Sequence, residues 1–253
     1  MSGRLVIVGV GPGYAGAVTP EVSAALAEAT DLIGYAPYLA RTPVVAGQNR
    51  HATDNRVEAA RARHALELAH AGHRVVVVSG GDPGVFAMAG AVFEVVEQGD
   101  PAWRTLDIVV LPGVSAMQAA AARLGAPLGH DFCVISLSDN LKPWAIIARR
   151  LRAAAEGDFV IALYNPASRA RPQSIHDAFA LLRTCKGAAT PVVFARAIGR
   201  PDERITRSTL AACDPGLVDM STLVIIGSSE TRFITRGAEP PWVLTPRSYG
   251  GAP

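Results

Sequence analysis

Three short segments of this 253-residue chain could let a small molecule approach the backbone closely. They are Gly9, Gly11 and Gly13 in VGVGPG, Gly80 and Gly81 in SGGDPGVF, and Gly113 in LPGVSA. Each follows a short β-branched run (Leu5–Val8, Val75–Val78 and Ile108–Leu111). Open α/β sheets bind ligands at the carboxyl ends of such strands, and a residue without Cβ leaves room for a ligand there. The first loop invites a dinucleotide reading, which two features oppose. The third glycine of that fingerprint is replaced by Tyr14, and the apolar Leu32–Ile33 is preceded by Asp31 but followed by no carboxylate to hold a ribose. Pro12 also removes a backbone donor that a phosphate would use. None of the three loops carries a phosphate-binding lysine, so they suit an uncharged adenosine bearing a sulfonium better than a triphosphate. Asp82 is either the cap of the following helix or a cap that also meets a ligand. Ser115 is either a helix cap or a ligand hydroxyl.

The elements that must carry these loops are legible in outline. Continuous apolar runs mark strands buried on both faces, as parallel sheets require. After Leu5–Val8 comes an alanine-rich helix over Pro20–Ala29, entered through Thr19 as N-cap. Asn55–Ala71 is read as a helix with Val57, Ala60, Leu66 and Ala69 at helical spacing, ended by Gly72. The segment LGAPLGHD (Leu124–Asp131) breaks the pattern, and a second set follows: Phe132–Leu137, a helix over Pro143–Ala155, Phe159–Leu163, a helix over Gln173–Arg183, Val192–Ala195 and Leu223–Ile226. The expected fold class is α/β, with two lobes of mostly parallel sheet. The first spans residues 1–126 and the second 127–236. A Pro/Gly-rich tail over 237–253 is expected to lie as a loose surface strap.

Composition narrows the functions. A hydrophobic content of 49% and 18% charged residues belong to a globular chain. A net charge of +2 and 6% aromatic residues give no basic, aromatic-rich surface for nucleic acid. Cys133, Cys185 and Cys213 stand at no metal-ligand or redox spacing, which suits a reducing cytoplasm and no metal centre. No apolar run reaches the ~20 residues of a membrane span. Met1–Arg4 leads straight into the first strand, so no signal peptide is expected.

The motifs VGVGPG (Val8–Gly13), GGDPGVF (Gly80–Phe86) and PGVSA (Pro112–Ala116), in this order and spacing, resemble those of the tetrapyrrole methylases. These are the class III S-adenosylmethionine (SAM) methyltransferases. Finer marks are GYAPYL (Gly34–Leu39), DFCVISLSD (Asp131–Asp139) with Pro143 and Trp144, LYNPAS (Leu163–Ser168) and TLVIIGS (Thr222–Ser228). They point within the family to a cobalamin-pathway member that contracts the macrocycle as it methylates it. The resemblance runs to about Ser229. It implies two α/β domains with a cleft between them, a homodimer and a small-molecule tetrapyrrole substrate. It also implies SAM as methyl donor, leaving S-adenosylhomocysteine. By the same resemblance SAM is held by Gly80, Gly81, Asp82, Val85 and Phe86, with Ser115 and Ala116. Tyr164, Asn165, Ala197 and Thr222 come from the second lobe, and Pro12 lies near the transferred methyl. Many relatives carry an aspartate where this chain has Tyr14, so no base is carried over to that position.

Ring contraction requires a proton to be taken from a hydroxyl of the macrocycle. The candidates are Asp139 at the end of a second-lobe strand, Lys142 three positions on, and His130 in the linker. A tetrapyrrole carrying acetate and propionate arms also calls for guanidinium partners, and Arg41, Arg50, Arg56, Arg169, Arg171, Arg196 and Arg200 are the loop arginines that could serve. Two other readings are a methylase of another acceptor, since a shared fold does not fix the acceptor, and a SAM-binding protein without turnover.

Overall fold

The computed structural model describes residues 3–54, 57–167 and 172–250. The chain divides into two compact units, Met1–Ala116 and Met117–Pro253. The divide falls after the first residue of the helix over Ala116–Leu124, whereas the glycine- and proline-rich LGAPLGHD segment marks the end of that helix.

In the first unit β1 (Arg4–Gly9), β2 (Asp31–Tyr35), β3 (Asn49–Thr53), β4 (Arg74–Ser79) and β5 (Asp107–Leu111) form one sheet in the order β3-β2-β4-β1-β5. Every pairing in it is parallel. Between the strands run α1 (Pro20–Glu28), the short α2 (Ala36–Leu39), α3 (Glu58–His70) and α4 (Met88–Gln98). Alternation of side chains explains the unbroken apolar runs. Leu5, Ile7, Ile33, Val75 and Val77 pack with α3 and α4, while Val6, Val8, Leu32, Val76 and Val78 pack with Val22 and Leu26 of α1. Thr19 caps α1, its Oγ1 accepting from the Val22 amide at 3.2 Å, and Pro20 takes the first helical position. Helix α3 buries Ala62, Ala65, Leu66 and Ala69. Two residues of the expected stripe, Val57 and Ala60, are exposed instead, because the buried face is the i, i+3, i+4, i+7 set that starts at Ala62.

At the amino ends of these strands Asp31 is 1% exposed. Its carboxylate accepts from His51 Nε2 (2.9 Å), His73 Nδ1 (2.8 Å), Asn49 Nδ2 (3.1 Å) and Thr30 Oγ1 (2.8 Å). Burial alone would raise this carboxyl, yet the four hydrogen bonds together hold it well below the usual carboxylate range. This end of the sheet is a polar lock, at the opposite ends of the strands from the glycine loops.

The second unit contains α5 (Ala116–Leu124, its first residue closing the first unit), β6 (Gly125–Ala126), β7 (Phe132–Ser136), α6 (Trp144–Glu156), β8 (Val160–Tyr164), α7 (Ser174–Leu182), β9 (Pro191–Arg196), β10 (Arg204–Thr209) and β11 (Thr222–Ile226). Its main sheet runs β10-β9-β11-β8-β7. Only β7 and β8 pair in parallel, and β11 is antiparallel to both β8 and β9, as β10 is to β9. The expectation of parallel strands therefore holds for the first sheet and is corrected for the second. The chain reverses between β9 and β10 within residues 197–203, too short a connection for a crossover helix. Helices α6 and α7 bury Ile147, Leu151, Ile175, Phe179 and Leu182 against Ile161, Leu163, Phe194 and Val224.

The tail is not a loose strap. β12 (Arg232–Arg236) and β13 (Glu239–Leu244) form a hairpin, and β13 also pairs in parallel with β6. Thr245 is buried, and its hydroxyl donates to the Pro127 carbonyl at 2.7 Å. The Tyr249 hydroxyl donates to Asp158 Oδ2 at 2.9 Å. Prolines and glycines obscured this strand in the sequence, but Pro240 and Pro241 sit where a short hairpin tolerates them. Among the described residues no helix is long and apolar enough to cross a membrane.

Candidate active site

In the first unit the three glycine loops leave the carboxyl ends of β1, β4 and β5, with β1 in the middle and Gly9 in register with Ser79. They meet backbone to backbone. Gly11 and Gly81 exchange hydrogen bonds, N to O, of 3.2 and 2.8 Å. A Cβ on Gly9 would stand 2.5 Å from the Gly81 carbonyl oxygen and 2.8 Å from Gly113, and one on Gly113 would stand 2.3 Å from that same oxygen. No side chain fits at either position, so Gly9 of the first loop and Gly113 of the third are packing requirements. Gly81 differs. Its φ is +69°, while a Cβ would meet nothing closer than 3.8 Å. Its backbone conformation, not crowding, demands glycine, and its open side is where a ligand can approach.

Asp82 ties this junction. Oδ1 accepts from the Gly84 amide at 2.8 Å and Oδ2 from the Gly113 amide at 3.0 Å. It does not cap α4, which begins at Met88; instead the buried Ser79 Oγ accepts from the Met88 amide at 3.2 Å. Asp82 thus turns its own loop and fastens the β5 loop to it. Ser115 is 3% exposed, Ala116 and Val85 are half-buried, and Phe86 is 50% exposed with φ of 51°. Gly80 lies under the Tyr38 ring, where a Cβ would come within 2.8 Å. Tyr38 in turn carries the Arg41 guanidinium 5.0 Å from its ring centroid, and Arg41 Nη1 reaches the carbonyl of the buried Pro12 at 3.5 Å. The motif GYAPYL therefore braces the first and second loops from the side of α2.

The second unit gathers its candidates at one edge of its main sheet. Ser136 is in register with Tyr164, and Thr222 with Arg196. Asn165 Nδ2 donates to the buried Ser136 Oγ at 3.0 Å, and Tyr164 Oη accepts from the Met117 amide at 2.9 Å. Thr222 Oγ1 donates to Asp219 Oδ1 at 2.8 Å. Burial would raise the Asp219 carboxyl, but hydrogen bonds from Thr222, Arg196 and the Ser221 amide lower it. Asn165 and Ala197 both have φ of 50°. With Phe86 they make up three of the four described non-glycine residues at positive φ. Such a backbone costs on the order of 1–2 kcal/mol per residue, and it concentrates at candidate cofactor positions.

The acid–base candidates separate. Asp139 is exposed and Lys142 half-buried in the loop that leaves β7 at this same edge. Burial, with Arg150 nearby, pushes the Lys142 ammonium down from its usual value. His130 lies before β7, at the other end of the strand, about 15 Å away along an extended chain. There its Nδ1 accepts from the Asp131 amide at 2.7 Å and its ring stands edge-on to Tyr249 at 4.9 Å. It is part of the tail's anchorage and not of the edge that carries Tyr164.

The arginines also sort. Arg50 donates to Pro43 and Leu39 carbonyls and to Thr42, and Arg196 is held by Asp219 and Asp202 at 2.8 and 2.9 Å. Both are structural. Arg56, Arg169 and Arg171 lie outside the described residues, as does Ser168. Among the described residues no group of three or more His, Cys, Asp or Glu side chains is arranged to hold a metal ion. Tyr38, Ser136 and Asp219 were not singled out from the sequence. Asp219, three residues before Thr222, is the one whose spacing could have flagged it.

Comparison with known proteins gives these residues a context. The family described as Tetrapyrrole (Corrin/Porphyrin) Methylases matches residues 4–214. A Sinorhizobium protein named precorrin-3B C(17)-methyltransferase is 56% identical over 252 residues, covering 100% of this chain and 99% of the relative. A Salmonella typhimurium protein named probable cobalt-factor III C(17)-methyltransferase is 42% identical over 97% of this chain and 99% of its own. Among solved structures, that of the methyltransferase CobJ superposes with a TM-score of 0.92 at 52% identity, over 97% of this chain and 100% of that one.

Proposed function

This chain belongs to the tetrapyrrole methylases, and from that membership we propose that it transfers a methyl group from SAM to C17 of precorrin-3B in cobalamin biosynthesis, with contraction of the ring to give precorrin-4. The observation that carries this is the end-to-end 56% identity with a precorrin-3B C(17)-methyltransferase. The glycine junction supports SAM as the donor, since it offers close backbone approach at Gly81 and none of the three loops carries a phosphate-binding lysine.

When bound, SAM supplies an electrophilic methyl on a sulfonium. In this reading Gly80, Gly81, Val85, Phe86, Ser115 and Ala116 seat it, and Asp82 keeps the loops in register. Pro12, with Tyr164, Asn165, Ala197 and Thr222, would complete the cofactor set. Orientation of donor and acceptor in a dry site supplies most of the acceleration of an in-line displacement. Asp139 is the proposed base for the macrocycle hydroxyl, a role worth about 10²–10⁴-fold. Lys142, in the same loop, is the proposed partner for the carboxylate that leaves. We further propose that the protein acts as a homodimer in the cytoplasm.

The test is anaerobic incubation of the protein with SAM and precorrin-3B, followed by mass and absorbance spectra, with cobalt-factor III in a parallel reaction. One added methyl and a changed chromophore from precorrin-3B are expected. Turnover of cobalt-factor III alone would transfer the assignment to the cobalt-bearing acceptor.

A further inference from the structure

Ala197 and Thr222 are neighbours at one edge of the second unit's main sheet, and a single carboxylate fastens both. Thr222 is in register with Arg196, and the Ala197 amide donates to the Ser221 carbonyl at 2.9 Å. Asp219 accepts on Oδ1 from the Thr222 hydroxyl at 2.8 Å and from the Ser221 amide at 2.9 Å. Its Oδ2 accepts from Arg196 Nε at 2.8 Å. The Asp219 amide donates back to Thr222 Oγ1 at 3.1 Å, so the one proton of that hydroxyl and one of its lone pairs are both committed to Asp219. Asp219 therefore grips the residue before Ala197 and also the residue whose carbonyl binds the Ala197 amide. Asp202, on the turn between β9 and β10, holds Arg196 Nη1 at 2.9 Å and secures the guanidinium from the other side.

This network holds a backbone that an alanine would not keep alone. Ala197 has a φ of 50°, in the left-handed region, and non-glycine residues persist there only where their surroundings over-determine them. A glycine at this position would adopt the same φ with no clamp. The chain instead carries alanine together with the carboxylate that fixes it, an arrangement that selects one conformation of the turn. We propose that Asp219 is a positioning residue for the cofactor. Through Arg196 and Ser221 it sets the left-handed turn at Ala197, and through Thr222 Oγ1 it sets the start of β11, so that both meet SAM already arranged. This rests on the cofactor set given above and gives Asp219 a part in SAM affinity without a contact of its own.

Releasing the turn lowers the fraction of molecules ready to bind about five- to thirtyfold, and apparent affinity falls with that fraction. S-adenosylhomocysteine affinity, measured by calorimetry, is expected to fall by this factor in Asp219→Ala. Asp219→Asn keeps an acceptor for Thr222 and Ser221 but turns an amide towards Arg196, and its affinity should fall in the same direction. The deciding readout is a double-mutant cycle with Ala197→Gly. Glycine keeps the left-handed φ unaided, so in that background the loss caused by Asp219→Ala should shrink to about twofold, the scatter of independent sites. A merely structural role would give the same loss in both backgrounds, and equal losses overturn the proposal. An affinity of Asp219→Ala within about twofold of wild type overturns it too. Melting temperatures show which variants are folded, and Asp219→Asn runs the same cycle if Asp219→Ala is not. In steady state the KM for SAM should rise with the loss of affinity while the KM for precorrin-3B does not; a rise confined to precorrin-3B overturns the role. Wild type that methylates precorrin-3B while the cycle shows no coupling removes Asp219 and leaves the function intact. Wild type that binds no S-adenosylhomocysteine overturns the SAM reading and this proposal together.

Discussion

Two buried or half-buried aspartates do opposite kinds of work in the first unit. Asp82 connects loops, and its two accepted hydrogen bonds come from amides of different loops. Replacing it with alanine removes both, at about 1–3 kcal/mol. Asp82→Ala is therefore expected to weaken S-adenosylhomocysteine binding at least tenfold by calorimetry, and unchanged affinity would detach this loop from the cofactor. Asp31 carries no ligand role and locks the far end of the sheet. Its folded carboxyl lies well below the unfolded value of ~3.9. The stability it contributes is thus fully present above about pH 4 and is lost as the pH falls below that towards the folded value. Denaturant titrations should show wild type weakening from pH 4 downwards, and Asp31→Asn should be less stable at pH 7 by about 3 kcal/mol with a flatter acid limb. Equal slopes in the two proteins would show that other carboxylates govern the acid limb. Residue-scale roles were only half legible. The types at Asp82, Ser115 and Asn165 advertised polar work, but whether an arginine is engaged or available depends on neighbours distant in sequence, as Arg50 and Arg196 show.

At the scale of elements, the glycine junction predicts an unequal response to one methyl group. In Gly113→Ala the new Cβ meets a carbonyl oxygen at 2.3 Å, whereas in Gly81→Ala it meets ordinary contact distances and only the φ of +69° resists. Gly81→Ala should cost about 1–2 kcal/mol, and Gly113→Ala more than that, because β5 must separate from β1. A comparison of melting temperatures decides it, and equal losses would mean that the loops give way without strain. The elements found from sequence were those with apolar runs, β1, β4, β5, β7, β8, β9 and β11. Missed in the two main sheets were β3 and β10, edge strands that read NRHAT and RITRST and carry no apolar run. An edge strand faces solvent on one side and can be kept polar, which discourages pairing with other chains, so the signal that marks a central strand is absent from these two. Strand direction in the second sheet was hidden for a related reason, since two-sided burial writes the same apolar run whichever way a strand points.

For the whole molecule, the α/β architecture and the family could be read from motif order, while the closing of the second unit could not, because it joins residues far apart. β13 pairs residues 243–244 with residues 125–126, and Thr245 seals the join through Pro127. Truncation after Ser229 removes both strands of the hairpin. Hydrogen exchange on that variant should show lost protection in β7–β11 and retained protection in β1–β5, and a uniform loss would mean that the two sheets unfold as one. The join also orders events during synthesis. All strands of the first sheet have been synthesised by residue 111, and their pairings need no residue beyond that stretch. The second unit lacks its closing strand until residues 243–244 have been added. Its first residues must wait, unsealed, through the translation of more than a hundred others. At typical rates of ~5–20 residues per second that is a delay of several seconds, during which the nascent second half is the part of the chain most in need of a chaperone.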